Sequence, residues 1–247
     1  MPKRGGAVTK RDMRHDGRRD DELRPIRFER HFNDSPAGSV LVSYGRTRLL
    51  CTACVEDGVP HWRTSSGKGW LTAEYGMLPG STGSRKAREG RTGRPDSRGL
   101  EISRLIGRAL RMVVDLKLLR DKTVWLDCDV LQADGGTRTA AISGAYVALH
   151  DALTAANLKQ WPLKSSIAAV SVGIVNGRCV LDLDYKEDSN AGVDLNVVMT
   201  GEAQFVEIQG TAEAAPFDDS ELQAMLRLAR LGVAEVTTAQ QVALEQK

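Results

Sequence analysis

Apolar side chains recur at every second position in some stretches of this chain and at every third or fourth in others, and the two periods alternate. Gly38–Tyr44 and Thr47–Val55 alternate around Gly45-Arg46, which predicts an antiparallel hairpin with glycine at its bend. Ile102, Leu105, Ile106, Ala109, Leu110, Val113 and Val114 follow helical spacing and mark one buried stripe, with Arg104, Arg108 and Arg111 off it. Thr123–Leu131 returns to alternation, with Val124, Leu126, Cys128 and Val130 on one face. An alanine-rich helix is then expected from Ala140 to about Ala156.

The plan repeats in the second half. Ser166–Val175, an Asn176-Gly177 turn and Arg178–Tyr185 predict a hairpin, and residues 193–200 and 203–210 predict another, turned at Thr200-Gly201-Glu202. Asp218, with Glu221 three residues later, opens a final amphipathic helix whose stripe holds Leu222, Met225, Leu226 and Ala229. These elements predict an α+β fold of mixed sheets with packed helices, two similar halves sharing one domain. Residues 23–247 are assigned to that domain and residues 1–22 to a basic mobile arm. Residues 57–99, rich in Gly and Ser, are expected to form a long loop, a setting that is disproportionately functional.

Composition narrows the class. A chain of 247 residues can bury a sizeable core without metal or disulfide staples. No apolar run approaches the ~18 residues of a spanning helix, and the charged N-terminus has no secretory core, so a cytoplasmic protein is expected. Aromatics are only 5% of the chain, so stacking cannot be the main means of holding a single strand. Cys51 and Cys54 have metal-ligand spacing, but on a strand residues three apart face opposite ways, which favours packing cysteines. The net charge of +2 conceals two opposed clusters: residues 85–98 carry six basic and two acidic side chains, and residues 182–194 carry five acids and one lysine.

Three segments carry candidate chemistry. In Leu131–Thr139 a strand ends, Gly135 and Gly136 permit close backbone approach, and a helix begins with Thr137 and Arg138. Free N–H groups, a hydroxyl and a guanidinium fork suit a phosphate there; an ordinary glycine turn with a threonine N-cap is the alternative. Arg98 stands at the start of the preceding helix and would complete a cradle if the two helix starts converge. Asp182, Asp184, Asp188 and Asp194 surround a strand break, with Asp182 and Asp184 expected on one strand face and Asp188 and Asp194 able to swing together. Hard oxygen ligands so placed suit Mg²⁺, the alternative being a polar turn of exposed acids. A phosphate cradle, a carboxylate pair and a basic loop suit attack of one anion on a phosphodiester. The stretch Gly67-Lys68-Gly69 is not a nucleotide-binding loop, and none of the four histidines is given a catalytic role.

Four longer runs carry a resemblance: Gly69-Trp-Leu-Thr-Ala-Glu-Tyr-Gly-Met-Leu-Pro79, Ile102-Ser-Arg-Leu-Ile-Gly-Arg-Ala-Leu-Arg111, Leu126-Asp-Cys-Asp-Val-Leu-Gln-Ala-Asp-Gly-Gly-Thr-Arg-Thr139 and Val170-Ser-Val-Gly-Ile-Val-Asn-Gly177. From about Asp16 onward the chain resembles the ribonuclease PH family of bacterial phosphate-dependent 3′ exoribonucleases. The resemblance implies the ribonuclease PH fold, similar to domain 2 of ribosomal protein S5. It implies phosphate ligands at Arg98, Gly136, Thr137 and Arg138, catalytic and metal-binding carboxylates at Asp188 and Asp194 with Asp182 nearby, and RNA-guiding positions at Arg85 and Arg88. It further implies Mg²⁺, inorganic phosphate as co-substrate, tRNA precursor 3′ ends and some ribosomal RNA as substrates, and a homo-hexamer built as a trimer of dimers. Arg91 and Arg94 fall in a stretch that varies within the family. A non-catalytic ring subunit that only guides RNA is the second reading; its mark would be loss of the cradle or the carboxylates.

Overall fold

A computed structural model describes residues 14–88 and 96–246. Among the described residues nine strands form two sheets. The first takes β1 (Ile26–Arg30), β2 (Gly38–Tyr44), β3 (Thr47–Asp57), β4 (Trp70–Met77) and β5 (Lys122–Gln132) in the order β1-β2-β3-β5-β4. The second takes β6 (Ile167–Val175), β7 (Arg178–Leu181), β8 (Val193–Thr200) and β9 (Phe205–Ala212) in the order β7-β6-β8-β9. All pairings are antiparallel except β4 on β5, which needs a crossover; helix α1 (Ser97–Val113) and the short α2 (Leu116–Leu119) supply it.

Helix α3 (Thr137–Ala155) packs between the sheets, against β2 and β3 on one side and β6 on the other. A helix enclosed on both sides cannot be amphipathic, and this one is apolar nearly all round, with Ala140, Ala141, Ile142, Ala145, Val147, Ala148 and Leu149 fully buried. Its small residues allow close approach: a Cβ on Gly144 would meet Val42 Cγ1 at 2.7 Å and Cys51 Sγ at 2.8 Å. The 27-residue helix α5 (Asp219–Glu245) covers β6 and β7 and opens with the expected capping box of Asp218 and Glu221. A large apolar core takes side chains from both sheets, and Val180, Leu183 and Ala191 form a small separate cluster.

Several expectations are corrected. The expected loop over 57–99 contains β4, whose inward residues Leu71, Ala73 and Tyr75 are buried and paired with β5; the alternation is present but short among glycines. The strand expected through Tyr185 stops at Leu181, because Asp182 turns the backbone to φ 55°. Asp182 and Asp184 therefore do not share a strand face; Asp184 instead caps a four-residue helix, α4 (Tyr185–Asp188), with Glu187 closing a capping box. The arm expected over 1–22 is docked from residue 14 onward. Arg14 and Arg18 are buried, held by the carbonyls of Leu181 and Asp182 and by Glu187. Buried guanidiniums need such partners, which a pattern of polar residues does not reveal. Residues 1–13 of that arm, and Arg91 and Arg94, lie outside the described residues.

Candidate active site

The loop between β5 and α3 turns on Gly135 and Gly136, with φ of 77° and 66°, where glycine is tolerated without strain. A Cβ on Gly135 would lie 2.6 Å from the Leu183 carbonyl oxygen, so the loop presses directly on the segment before α4. Gly136 is the N-cap of α3, and no side chain caps the helix. Its first N–H groups and the positive end of its dipole are therefore available to an anion.

Neighbouring elements set the shape of this loop. Thr47, fully buried at the start of β3, donates its hydroxyl to the Gly135 carbonyl at 2.7 Å and accepts the Asp134 N–H at 2.8 Å. Arg24 donates to the Asp134 carbonyl at 2.5 Å and forks onto Asp182 through Nε at 2.9 Å and Nη2 at 2.7 Å. Asp182 is 1% exposed and also accepts the Arg24 backbone N–H. This buried pair fastens the glycine loop to the acidic segment. Asp182, near the carboxylates in sequence, is thus committed to Arg24 and is not free to take a metal.

The side chains of the helix start are also directed. Thr137 Oγ1 lies 2.8 Å from the hydroxyl of Tyr75 on β4, and burial pushes the Tyr75 phenol up in pKa. Arg138 donates to Gln209 Oε1 at 2.8 Å, and Gln209 in turn donates to Glu101 at 3.1 Å. Arg98 occupies the first turn of α1 behind its N-cap Asp96 and is exposed.

The acids complete the site. Asp188 ends α4 and Asp194 sits at the start of β8, brought together by the intervening turn. Burial raises the pKa of both, that of Asp194 to about 6, and the negative charge of Asp188 adds to the shift at Asp194. Arg98 and Arg138 act on both carboxyls in the opposite sense, so the two arginines and two acids share one electrostatic neighbourhood. The Oδ1 atom of Asp194 is buried without a hydrogen-bond partner. A pair of carboxylates carrying an orphaned oxygen has the hard donors that fit a divalent ion such as Mg²⁺.

Six of the eight sequence-derived site residues thus gather at the ends of α1, α3, α4 and β8. Arg85 and Arg88 do not join them: they lie exposed in the segment after β4, with no hydrogen bond or ion pair to the site among the described residues. Tyr75, Thr47, Arg24 and Gln209 were absent from the sequence reading. They touch the cradle across separations of 62 to 110 residues, and only Tyr75 lies within one of the characteristic runs. A second group of potential ligands, His15, Asp16 and Asp184, is already engaged in docking, with His15 Nε2 at 2.7 Å from Asp184.

Known proteins match both halves of this chain. Domain 1 of the 3′ exoribonuclease family matches residues 22–154, and domain 2 matches residues 165–231. A ribonuclease PH of Saccharopolyspora erythraea is 57% identical over 236 residues, 94% of either chain. Two solved structures share the fold. Rice (Oryza sativa) Rrp46 has a TM-score of 0.77 at 18% identity, covering 94% of this chain and 100% of its own. An Archaeoglobus fulgidus exosome chain, from a structure with RNA bound to the active site, has a TM-score of 0.77 at 20% identity, covering 96% and 94%.

Proposed function

The chain belongs to the 3′ exoribonuclease family, as a relative of ribonuclease PH, and from that premise we propose how its residues carry out the reaction. It is a phosphorolytic 3′ exoribonuclease, a phosphate-dependent nucleotidyltransferase. Inorganic phosphate rests on the N–H groups at Gly136–Arg138, the Thr137 hydroxyl and the guanidiniums of Arg98 and Arg138. One of its oxygens attacks the terminal phosphodiester of an RNA 3′ end. The P–O bond to the penultimate ribose breaks, releasing a nucleoside diphosphate and an RNA one residue shorter. A phosphodiester is exchanged for a diphosphate bond, so the reaction runs readily in both directions. Asp188 and Asp194 would hold Mg²⁺, which supplies positive charge to the crowded phosphoryl oxygens. One of these carboxyls gives the proton to the departing 3′ oxygen.

The observation that carries this reading is the meeting of two arginines, an uncapped helix start and a raised carboxylate pair in one field. Two anions must approach one another here, and only fixed positive charge makes that encounter affordable. The same observation disfavours a ring subunit that merely guides RNA, since guidance requires neither the cradle nor buried acids. The substrates are 3′-extended tRNA precursors and some ribosomal RNA, and Arg85 and Arg88 steer them by charge. The working assembly is a hexamer, a trimer of dimers, in the cytoplasm. Among the described residues no helix is long and apolar enough to cross a membrane.

Incubating a 3′-extended tRNA with Mg²⁺, with and without inorganic phosphate, tests the reaction. Shortening only with phosphate, with nucleoside diphosphates as product, is expected; monophosphate release without phosphate would refute it. Two variants test the cradle. Arg138→Ala should raise the phosphate KM by about 10- to 100-fold, as expected for losing a charged hydrogen-bond donor, while most RNA affinity survives. Equal loss of RNA binding would reassign Arg138 to the RNA. Tyr75→Phe removes the group that orients the Thr137 hydroxyl. A rise of about two- to tenfold in phosphate KM is expected, read by steady-state kinetics at saturating RNA. An unchanged KM would mean that Thr137 is oriented by the helix alone.

A further inference from the structure

A groove with a volume of about 410 Å³ runs between the outer edge of β4 and helix α1, outside the cradle but touching it. At one end it is lined by Tyr75, which bonds Thr137, and by Asp96 and Gly99 on either side of Arg98 in sequence. At the other end are Trp70 and Arg111. From Arg98 to Arg111 the helix rises ~20 Å at about 1.5 Å per residue.

The far end is built from two aromatic rings set edge-on and the cations beside them. The Arg111 guanidinium lies 4.6 Å from the Trp70 ring centre and donates to the Leu71 carbonyl at the free edge of β4. Arg63 lies 5.0 Å from Trp70 and 5.7 Å from Trp62, and Trp62 meets Trp70 edge-on at 4.8 Å. Trp62 is nonetheless 63% exposed, and it rides on a short 3-10 turn, His61–Ser66, that offers it to solvent. Arg63 Nε is buried without a hydrogen-bond partner. Among the described residues no carboxylate forms an ion pair with Arg63, Arg104 or Arg111, although Glu74 and Asp96 also line the groove. Burial and the neighbouring Arg108 and Arg63 lower the Arg111 pKa, as happens where cations crowd without anions.

We propose that Trp62, Arg63, Trp70 and Arg111 form a platform that holds the single-stranded 3′ segment of the RNA upstream of the reacting end. The bases would stack on the open face of Trp62, and the guanidiniums would take the backbone phosphates. At about 3.4 Å per stacked nucleotide, the groove spans roughly six nucleotides between cradle and platform. Aromatics are too few in this chain to carry RNA binding as a whole, and a single stacking platform serves as a brace at a fixed distance. The site rests on the exoribonuclease reading only for the identity of its strand; the contacts that define it are independent of the chemistry.

The test uses the full chain in its native assembly, without phosphate. Fluorescence anisotropy gives the affinity for 5′-labelled single-stranded RNA of four and of twelve nucleotides, for wild type, Trp62→Ala and Arg63→Gln. The wild type should prefer the longer RNA, and either variant should reduce that preference by about tenfold, the loss of one stacked base or phosphate contact. Arg63→Gln should also make the salt slope for the longer RNA shallower by nearly one unit. A preference for the longer RNA that survives both substitutions would overturn the platform. So would a changed assembly mass by light scattering, which would make this face a contact between copies of the chain. Wild-type phosphorolysis of the four-nucleotide RNA is measured in parallel. Failure there would count against the reaction, while the binding comparison would still decide the platform.

Discussion

Replacing Asp194 with asparagine is expected to make the protein more stable at neutral pH and to stop its chemistry. The carboxyl is raised from 3.8 to about 6 by burial and by Asp188, so keeping it ionised costs folding energy. A shift of that size corresponds to roughly 2–3 kcal/mol. The sign follows from proton counting. Between about pH 4 and pH 6 the folded chain holds the Asp194 proton and the unfolded chain has lost it, so stability falls as pH rises through this window. Asparagine has no such proton. Wild type and Asp194→Asn should therefore denature alike below about pH 4, diverge between pH 4 and 6, and keep a constant gap above it, with the variant the more stable.

The same substitution should reduce phosphorolysis by at least ~10³-fold, because a carboxyl proposed to hold Mg²⁺ or to give the proton to the departing 3′ oxygen is lost. Mg²⁺ sharpens the test. An ion that binds the folded chain through Asp188 and Asp194 stabilises it in proportion to occupancy, so Mg²⁺ should raise the melting temperature of the wild type and leave that of Asp194→Asn nearly unmoved. A variant that is less stable than the wild type at pH 7.5 without Mg²⁺ would show that Arg98 and Arg138 overcome the burial cost. The carboxylate would then be satisfied without a metal, and the fit of the site to a divalent ion would fail.

What could be read from the sequence, and what could not, divides by the range of the interactions. The glycine loop was legible because its chemistry is local: a strand end, two residues able to take positive φ, and a helix start with Thr137 and Arg138 within two positions. The three hairpins and the long final helix were legible for the same reason, each closing on its own turn or cap. Strand β4 was missed although Leu71, Ala73 and Tyr75 alternate, because its partner β5 lies beyond α1 and a parallel pair leaves no turn signal. Thr47 and Arg24 were missed for a related reason. Their bonds to the loop span 88 and 110 residues, and nothing near either residue announces the partner. The polar N-terminal stretch read as an arm because it has no apolar stripe. Its order from residue 14 comes from buried ion pairs, which hydrophobic periodicity cannot register. Asp182 is the instructive case: it was expected to share a strand face with Asp184, and its positive φ ends the strand and leaves its carboxylate paired with Arg24.

That pair supports the other large prediction. Arg24→Ala should destabilise the protein by about 3–5 kcal/mol, because among the described residues it leaves the buried Asp182 carboxylate with Arg18, at 3.5 Å, as the one cation beside it and the residue-24 backbone N–H as a remaining donor. Asp182→Ala should cost a comparable amount by stranding the Arg24 guanidinium. The double variant Arg24→Ala, Asp182→Ala removes both charges and should be markedly more stable than the sum of the single losses predicts, by roughly 2 kcal/mol or more. Denaturation midpoints for the four proteins close this cycle, and simple additivity would mean that the pair is not coupled. Activity separates a clamp from a mere filler of space. Arg24 also holds the Asp134 and Gly135 carbonyls, at 2.5 and 3.4 Å, and those bonds are lost in the double variant however well it folds. The phosphate KM should therefore stay raised in the double variant while the RNA KM returns toward wild type. If both constants recover together, the glycine loop keeps its shape through Thr47 alone, and Arg24 positions nothing beyond its own aspartate.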